Sequence, residues 1–176
     1  MRASRTLRRD CSTGCVRSAR YSSGMESSHT ENAVGQEIAD ALGVLLRRTT
    51  RTRLHQKLTA GMGEAVDELT YPVLSALARI GPCSAAELAP EVGLDRSGVT
   101  RRASRLQDAG LVRREPDPAD QRAQLLVLTE PGLRAVAELR ERLAAHIMAS
   151  LSAWPPGEAE AFARGLHRFT QEGPFA

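Results

Sequence analysis

Apolar residues recur three and four apart from about Asn32 to Lys57, where Ile38, Leu42, Leu45 and Leu54 fall on one side, and this spacing predicts a helix. Gly61 to Gly63 interrupts it. Thr70 then stands where an N-cap is expected, with Pro72 in the first turn, where a missing N–H costs little. Val73, Leu74, Leu77 and Ile80 supply the buried face of this second helix, and Gly81-Pro82 stops it. Ser84-Ala-Ala-Glu87 has capping-box form and opens a short helix to about Val92. Gly93 is a terminating turn residue, Asp95 is the next N-cap, and a helix from Arg96 to Ala109 ends at Gly110. Two short helices across a glycine-containing turn make a helix-turn-helix.

The period then changes. Leu111–Glu115 and Gln124–Leu128 read as paired strands around a polar loop containing Pro116 and Pro118, too long for a two-residue hairpin. Thr129 caps a long helix with Pro131 in its first turn, and Leu133, Val136, Leu139, Leu143, Ile147 and Leu151 carry one apolar stripe along it. Trp154-Pro155-Pro156 ends it, and a last helix covers roughly 156–170. The expected fold is mainly α with a small antiparallel β wing: a winged helix-turn-helix plus a helical dimerisation region. The expected divisions are a disordered basic tail over 1–30, an N-terminal dimerisation helix over 31–62, the winged helix-turn-helix over 63–129, and C-terminal dimerisation helices over 130–176. The long helix after the wing and the one before the helix-turn-helix exceed what so small a core needs, so a two-fold partner would bury the surplus.

Charge changes this picture in one respect. The 176 residues carry a net charge of +3, and the isoelectric point of about 9.1 suggests a nucleic-acid binder. Residues 1–24, however, hold six Arg and one Asp, leaving 18 basic and 20 acidic side chains in the rest. Any affinity for DNA must therefore come from placed residues, not bulk charge. The tail is either a basic arm adding non-specific affinity or a segment upstream of a true start at Met25. No apolar run approaches the roughly 18–20 residues of a membrane span, and no apolar stretch follows the N-terminal arginines as a secretory signal requires. Three cysteines, Cys11, Cys15 and Cys83, form no disulfide framework, consistent with a cytoplasmic protein.

On the 96–109 helix, Val99, Ala103 and Leu106 form the core side, while Ser97, Arg101, Ser104 and Arg105 share the opposite side with Thr100 flanking. Small hydroxyl residues permit close approach to DNA, and arginine can bond guanine bidentately. Gly98, costly in a helix, is a candidate for backbone approach to DNA; Arg102 lies toward the core and snorkels. In the loop, Asp117 and Asp120 are expected to brace the turn or aim Arg122 through a charge-assisted bond, and an aimed arginine at a loop tip suits a narrow minor groove. The candidate DNA-binding set is Ser97, Gly98, Thr100, Arg101, Ser104, Arg105 and Arg122.

These residues resemble the MarR family of winged helix-turn-helix transcription regulators. The resemblance rests on Leu69-Thr70, Glu87-Leu88-Ala89, Ser97-Gly-Val-Thr100-Arg101, Arg105-Leu106, Gly110-Leu111-Val112-Arg113-Arg114, Asp117-Pro118-x-Asp120-x-Arg122 and Leu128-Thr129-x-x-Gly132. It implies a homodimer on a near-palindromic operator in double-stranded DNA, with the 96–109 helix in the major groove and Arg122 in the minor groove. Ser104 departs from the family, which often has Asp there. The resemblance also implies a repressor released by a small aromatic or aliphatic effector, with Arg51, His55, Tyr71 and Arg140 as candidate ligand-binding residues. Family members that sense peroxide use a cysteine on the first helix, and 32–58 contains none.

Cys83, just before a helix N-terminus, leaves a redox-responsive regulator as one alternative; a winged helix used for protein–protein contact is another. His29, His55, His146 and His167 show no metal-ligand spacing, so neither a metal nor another cofactor is expected. No nucleophile elbow, phosphate loop or clustered acid and base set predicts an enzyme.

Overall fold

The computed structural model describes residues 22–120 and 122–173. Residues 1–21 of the expected tail, with Cys11 and Cys15, lie outside them. The chain divides into two compact units, one ending at Arg51 and one from Thr52 onward.

The first unit holds α1 (Ser22–Leu46) and the start of α2 (Arg48–Thr59). α1 begins at Ser22, and the helix expected over 32–57 breaks at Arg47. Neither glycine nor proline stands at the break, and nothing in the local sequence explains it. Val34, Ile38, Leu45 and Leu46 of α1 are about half exposed in the single chain.

The second unit is built on α3 (Tyr71–Ile80), β1 (Cys83–Ser84), α4 (Ala85–Val92), α5 (Arg96–Asp108), β2 (Val112–Pro116), β3 (Gln124–Leu128), α6 (Glu130–Leu151) and α7 (Glu158–Glu172). The strands form one antiparallel sheet in the order β1-β3-β2, with Cys83 opposite Leu126 and Arg114 opposite the same Leu126 on the other side. Sequence periodicity missed β1, because two residues are too few to show alternation. The core consists of Val73, Leu74 and Leu77 from α3, Leu88 from α4, Val99, Ala103 and Leu106 from α5, Val112 and Leu126 from the sheet, and Val136 and Leu139 from α6. Ile80, expected on the buried face of α3, is exposed at its C-terminal end.

The caps show how the sequence sets these elements. Ser84 and Glu87 form the reciprocal capping box of α4: the Glu87 N–H donates to Ser84 Oγ, and the Ser84 N–H donates to Glu87 Oε2 at 2.8 Å. Gly93 then takes a left-handed conformation at φ 67°, which a side chain would strain, and turns the chain into α5. Thr70 behaves differently from the expected cap. It is fully buried, and its hydroxyl bonds the Ala65 carbonyl and Asp67 instead of the first turn of α3. Asp67 Oδ1 meanwhile accepts the Leu69 and Thr70 N–H groups.

The wing is fastened to α6 at one point. The Thr129 hydroxyl donates to the Gly110 carbonyl at 2.6 Å and accepts the Gly132 N–H. Gly132 packs so closely on the Leu111 carbonyl that a Cβ there would overlap it. The Leu-Thr-x-x-Gly sequence is therefore a closely packed joint between wing and helix. At the other end of the unit, Arg142 of α6 donates to the Leu58 and Ala60 carbonyls and pairs with Glu138, closing the C-terminus of α2. Among the described residues, no helix is long and apolar enough to cross a membrane.

Candidate nucleic-acid interface

Asp95 starts α5. Its Oδ1 accepts the Gly98 N–H at 2.6 Å and the Ser97 hydroxyl at 3.1 Å, and these bonds hold the carboxyl below its ordinary value. A Cβ on Gly98 would meet that carboxylate at 2.8 Å, so the glycine makes room for the cap. Gly98 is also buried. Its small size serves the interior of the helix start.

The predicted face of α5 separates into two groups. Ser97 and Arg101 are exposed, with a 3.4 Å bond between Arg101 Nη1 and Ser97 Oγ, and Thr100 is half-buried beside them. The second group is tied into the protein. Arg105 Nη2 donates to Asp67 Oδ2 at 2.8 Å and to the Glu64 carbonyl at 3.0 Å. In the structure it clamps α5 to the loop before α3. Burial pushes the Asp67 carboxyl up, but Arg105 together with the Thr70 and Leu69 bonds outweighs it and leaves the group below its ordinary value. Ser104 Oγ accepts from Arg114 Nη2 at 3.1 Å, so this residue joins α5 to β2.

The wing loop is held by its aspartates. Asp117 Oδ1 accepts the Ala119 N–H at 2.8 Å, and Asp120 Oδ1 accepts the Arg122 N–H at 2.9 Å. The Ala123 N–H donates to the Asp120 carbonyl, and the Asp117 N–H donates back across to Ala123. Asp120 thus holds the Arg122 backbone, not its guanidinium. Among the described residues, no ion pair engages Arg96, Arg101, Arg114 or Arg122. Arg96 and Arg114 lie near Arg122, a neighbourhood that sequence spacing did not show. Alternation along a strand places Arg114 opposite in face to Arg113, the one readable signal.

The four candidate ligand residues are not assembled in the same way. The His55 and Tyr71 rings pack at 4.5 Å, tilted by 47°. Arg140 is exposed on α6, and Arg51 belongs to the other unit. A cavity of about 600 Å³ lies between the 62–66 loop, Ala109 and Leu111, and the start of α6, and none of the four lines it. Cys83 is buried in β1, and burial, then the Glu87 and Glu91 carboxylates, push its thiol up. A redox sensor requires the opposite.

Comparison with known proteins agrees with this fold. Residues 66–123 match the model of the MarR family. The winged helix-turn-helix of this chain is that of the MarR family. A protein described as a transcriptional regulator for the hcr operon of Thauera aromatica is 29% identical over 116 residues, covering 65% of this chain and 70% of that protein. The solved MarR family regulator SP03579 shares the fold at a TM-score of 0.62 and 19% identity, over 82% of this chain and 92% of its own. Bordetella bronchiseptica BpsR, whose DNA binding is regulated by 6-hydroxynicotinic acid, is 25% identical with a TM-score of 0.53, over 74% and 98% of the two chains. The MarR-type segment spans α3 to the wing loop, and so contains every residue of the predicted DNA-binding set.

Proposed function

We propose that this MarR-family transcription regulator is a homodimeric repressor in the cytoplasm that binds a near-palindromic operator and leaves it when a small effector binds. The observation that carries the DNA reading is the placement of Ser97, Thr100 and Arg101 on one side of α5, beside a wing in which Asp120 holds the Arg122 backbone. α5 would enter the major groove, with Ser97 and Arg101 at base edges, and Arg122 would enter the adjacent minor groove. Domain roles follow from the same reading: 63–129 binds DNA, while 31–62 and 130–176 dimerise.

The dimer is supported by apolar surface. No residue of α7 is buried, and Phe162, Leu166, Trp154, Ile147 and Met148 are 43–61% exposed in the single chain. So many large apolar side chains in solvent support a surface that another chain covers. Two-fold symmetry would then set the α5 helices on half-sites about 34–36 Å apart. The effector reading rests on the likeness to BpsR. Within the second unit, the His55–Tyr71 pair would meet an aromatic ring.

Capture of fragments from the source genome, followed by binding measured against salt, tests this function. A steep loss of affinity as salt rises is expected. Arg122→Ala should weaken binding at least tenfold, by our order-of-magnitude reckoning of about 1.4 kcal/mol, with the dimer intact by sedimentation. Absence of DNA binding at low salt would sink the reading and leave a protein–protein module.

A further inference from the structure

The cavity of about 600 Å³ within the second unit, between the 62–66 loop, the end of α5 and the start of α6, has a definite chemical character. Its volume falls in the range of sites that hold small organic molecules, about 300–1,000 Å³. The walls are mostly aliphatic: Met62, Ala65, Val66, Leu111, Pro131 and Ala135. None of the lining residues is aromatic, so a flat ring finds nothing there to stack on. The charged groups around the cavity are unequally committed. Arg134 pairs with Glu130 at 3.2 Å, and Glu138 pairs with Arg142 at 2.6 Å. Arg105, which donates to the Glu64 carbonyl, is paired with Asp67 at 2.8 Å. Glu64 itself is exposed, and among the described residues its carboxylate is in no ion pair or hydrogen bond. Each of these three arginines thus has its own counter-charge, while the Glu64 carboxylate has none.

We propose that this cavity is a binding site for a small aliphatic monocation of the alkylammonium class, its chain against Met62, Val66 and Leu111 and its ammonium at Glu64. The site stands apart from the DNA and effector readings above, because none of the residues named for contact with either lines the cavity. Charge decides the ligand class. An anion would meet an unneutralised carboxylate and arginines that are already paired, and like charges repel. A neutral chain would bury the same apolar surface and leave the carboxylate to water. An ammonium gains both apolar burial along its chain and a charge-assisted hydrogen bond at its head. A second positive charge farther along the chain would face Arg134, so one charge is favoured over two.

The test uses the full-length protein and three probes of nearly equal length, octylamine, octanol and octanoate, at neutral pH and below their micellar concentrations. Isothermal titration calorimetry gives the affinities, and amide chemical shifts of labelled protein locate the site. Octylamine should bind at least about tenfold more tightly than octanoate, with octanol between them. It should shift the amides of 62–66, 109–111 and 134–138. Glu64→Gln removes no side-chain contact within the protein, so its Tm should be that of the wild type. Its affinity for octylamine should fall about three- to tenfold. Glu64→Lys should invert the order and favour octanoate. Ala135→Leu keeps a good helix former while narrowing the cavity, and it should weaken all three probes together. Octanoate binding the wild type as tightly as octylamine overturns the proposal, as does octylamine affinity within about twofold of wild type for Glu64→Gln. Absence of octylamine binding also overturns it. Octylamine shifts at Ile147, Met148, Phe162 and Leu166 in place of the cavity would mark adsorption on exposed apolar surface, and they overturn it equally. None of these outcomes bears on DNA binding.

Discussion

Replacing Arg105 by alanine separates two roles that the sequence leaves superimposed. The side chain sits on the same helical side as Arg101, yet the structure ties it to Asp67 and to the Glu64 carbonyl. The ion pair is partly exposed, at 44% for Arg105 and 28% for Asp67, so its worth is about 0.2–1 kcal/mol. The charge-assisted bond to Glu64 adds about 1 kcal/mol after solvent screening. A loss of about 1–2 kcal/mol follows, or a fall of roughly 3–6 °C in Tm for a chain of this size. Asp67→Asn keeps an oxygen for the Leu69 and Thr70 amides but removes the Arg105 partner. A double-mutant cycle by urea denaturation should therefore give a coupling of about 0.5–1 kcal/mol. The pH dependence has a definite sign. The folded Asp67 carboxyl titrates below its ordinary 3.8; its stabilising contribution is complete above that value and is lost as pH falls through the lowered one. The difference between wild type and Asp67→Asn should shrink only in that acid window. On DNA, Arg105→Ala should leave the ranking of bound fragments unchanged. A variant with wild-type Tm and relaxed base preference would refute the clamp and restore Arg105 as a reader.

Arg101→Ala should do the reverse, keeping Tm while relaxing discrimination by roughly 1–3 kcal/mol at one position per half-site, and unchanged selectivity in a fragment-selection assay would remove it from the reading set. Gly132→Ala should destabilise by at least about 1–3 kcal/mol, because the Leu111 carbonyl is backbone and cannot step aside. Gly165→Ala, with open space around it, should stabilise by about 0.5–1 kcal/mol. Equal melting temperatures for these two variants would contradict the close approach. Cys83 should resist alkylation at neutral pH in the folded protein and react on unfolding, and rapid labelling of that residue by peptide mapping would reopen a redox role.

The amino-acid pattern was enough to place the helix-turn-helix and wing, because the signals there are local. A capping box at Ser84 and Glu87, a left-handed Gly93, an aspartate cap at Asp95 and an apolar stripe through Val99, Ala103 and Leu106 each act within a few residues. The family resemblance drew on the same short-range chemistry. What lay beyond sequence was every decision made across distance. Arg101 and Arg105 look alike on a helical wheel; only the fold brings Asp67, 38 residues earlier, against one of them. Gly98 looks like an opening for DNA until the Asp95 carboxylate is seen in the space its side chain would fill. The Thr70 hydroxyl turns inward because the Ala65 carbonyl and Asp67 are close enough to compete for it. Arg96, Arg114 and Arg122 come from a helix, a strand and a loop, and no spacing along the chain announces that they share one concavity. Short-range hydrogen bonding and periodicity determine the elements, but the partner of a long charged side chain is chosen by tertiary packing.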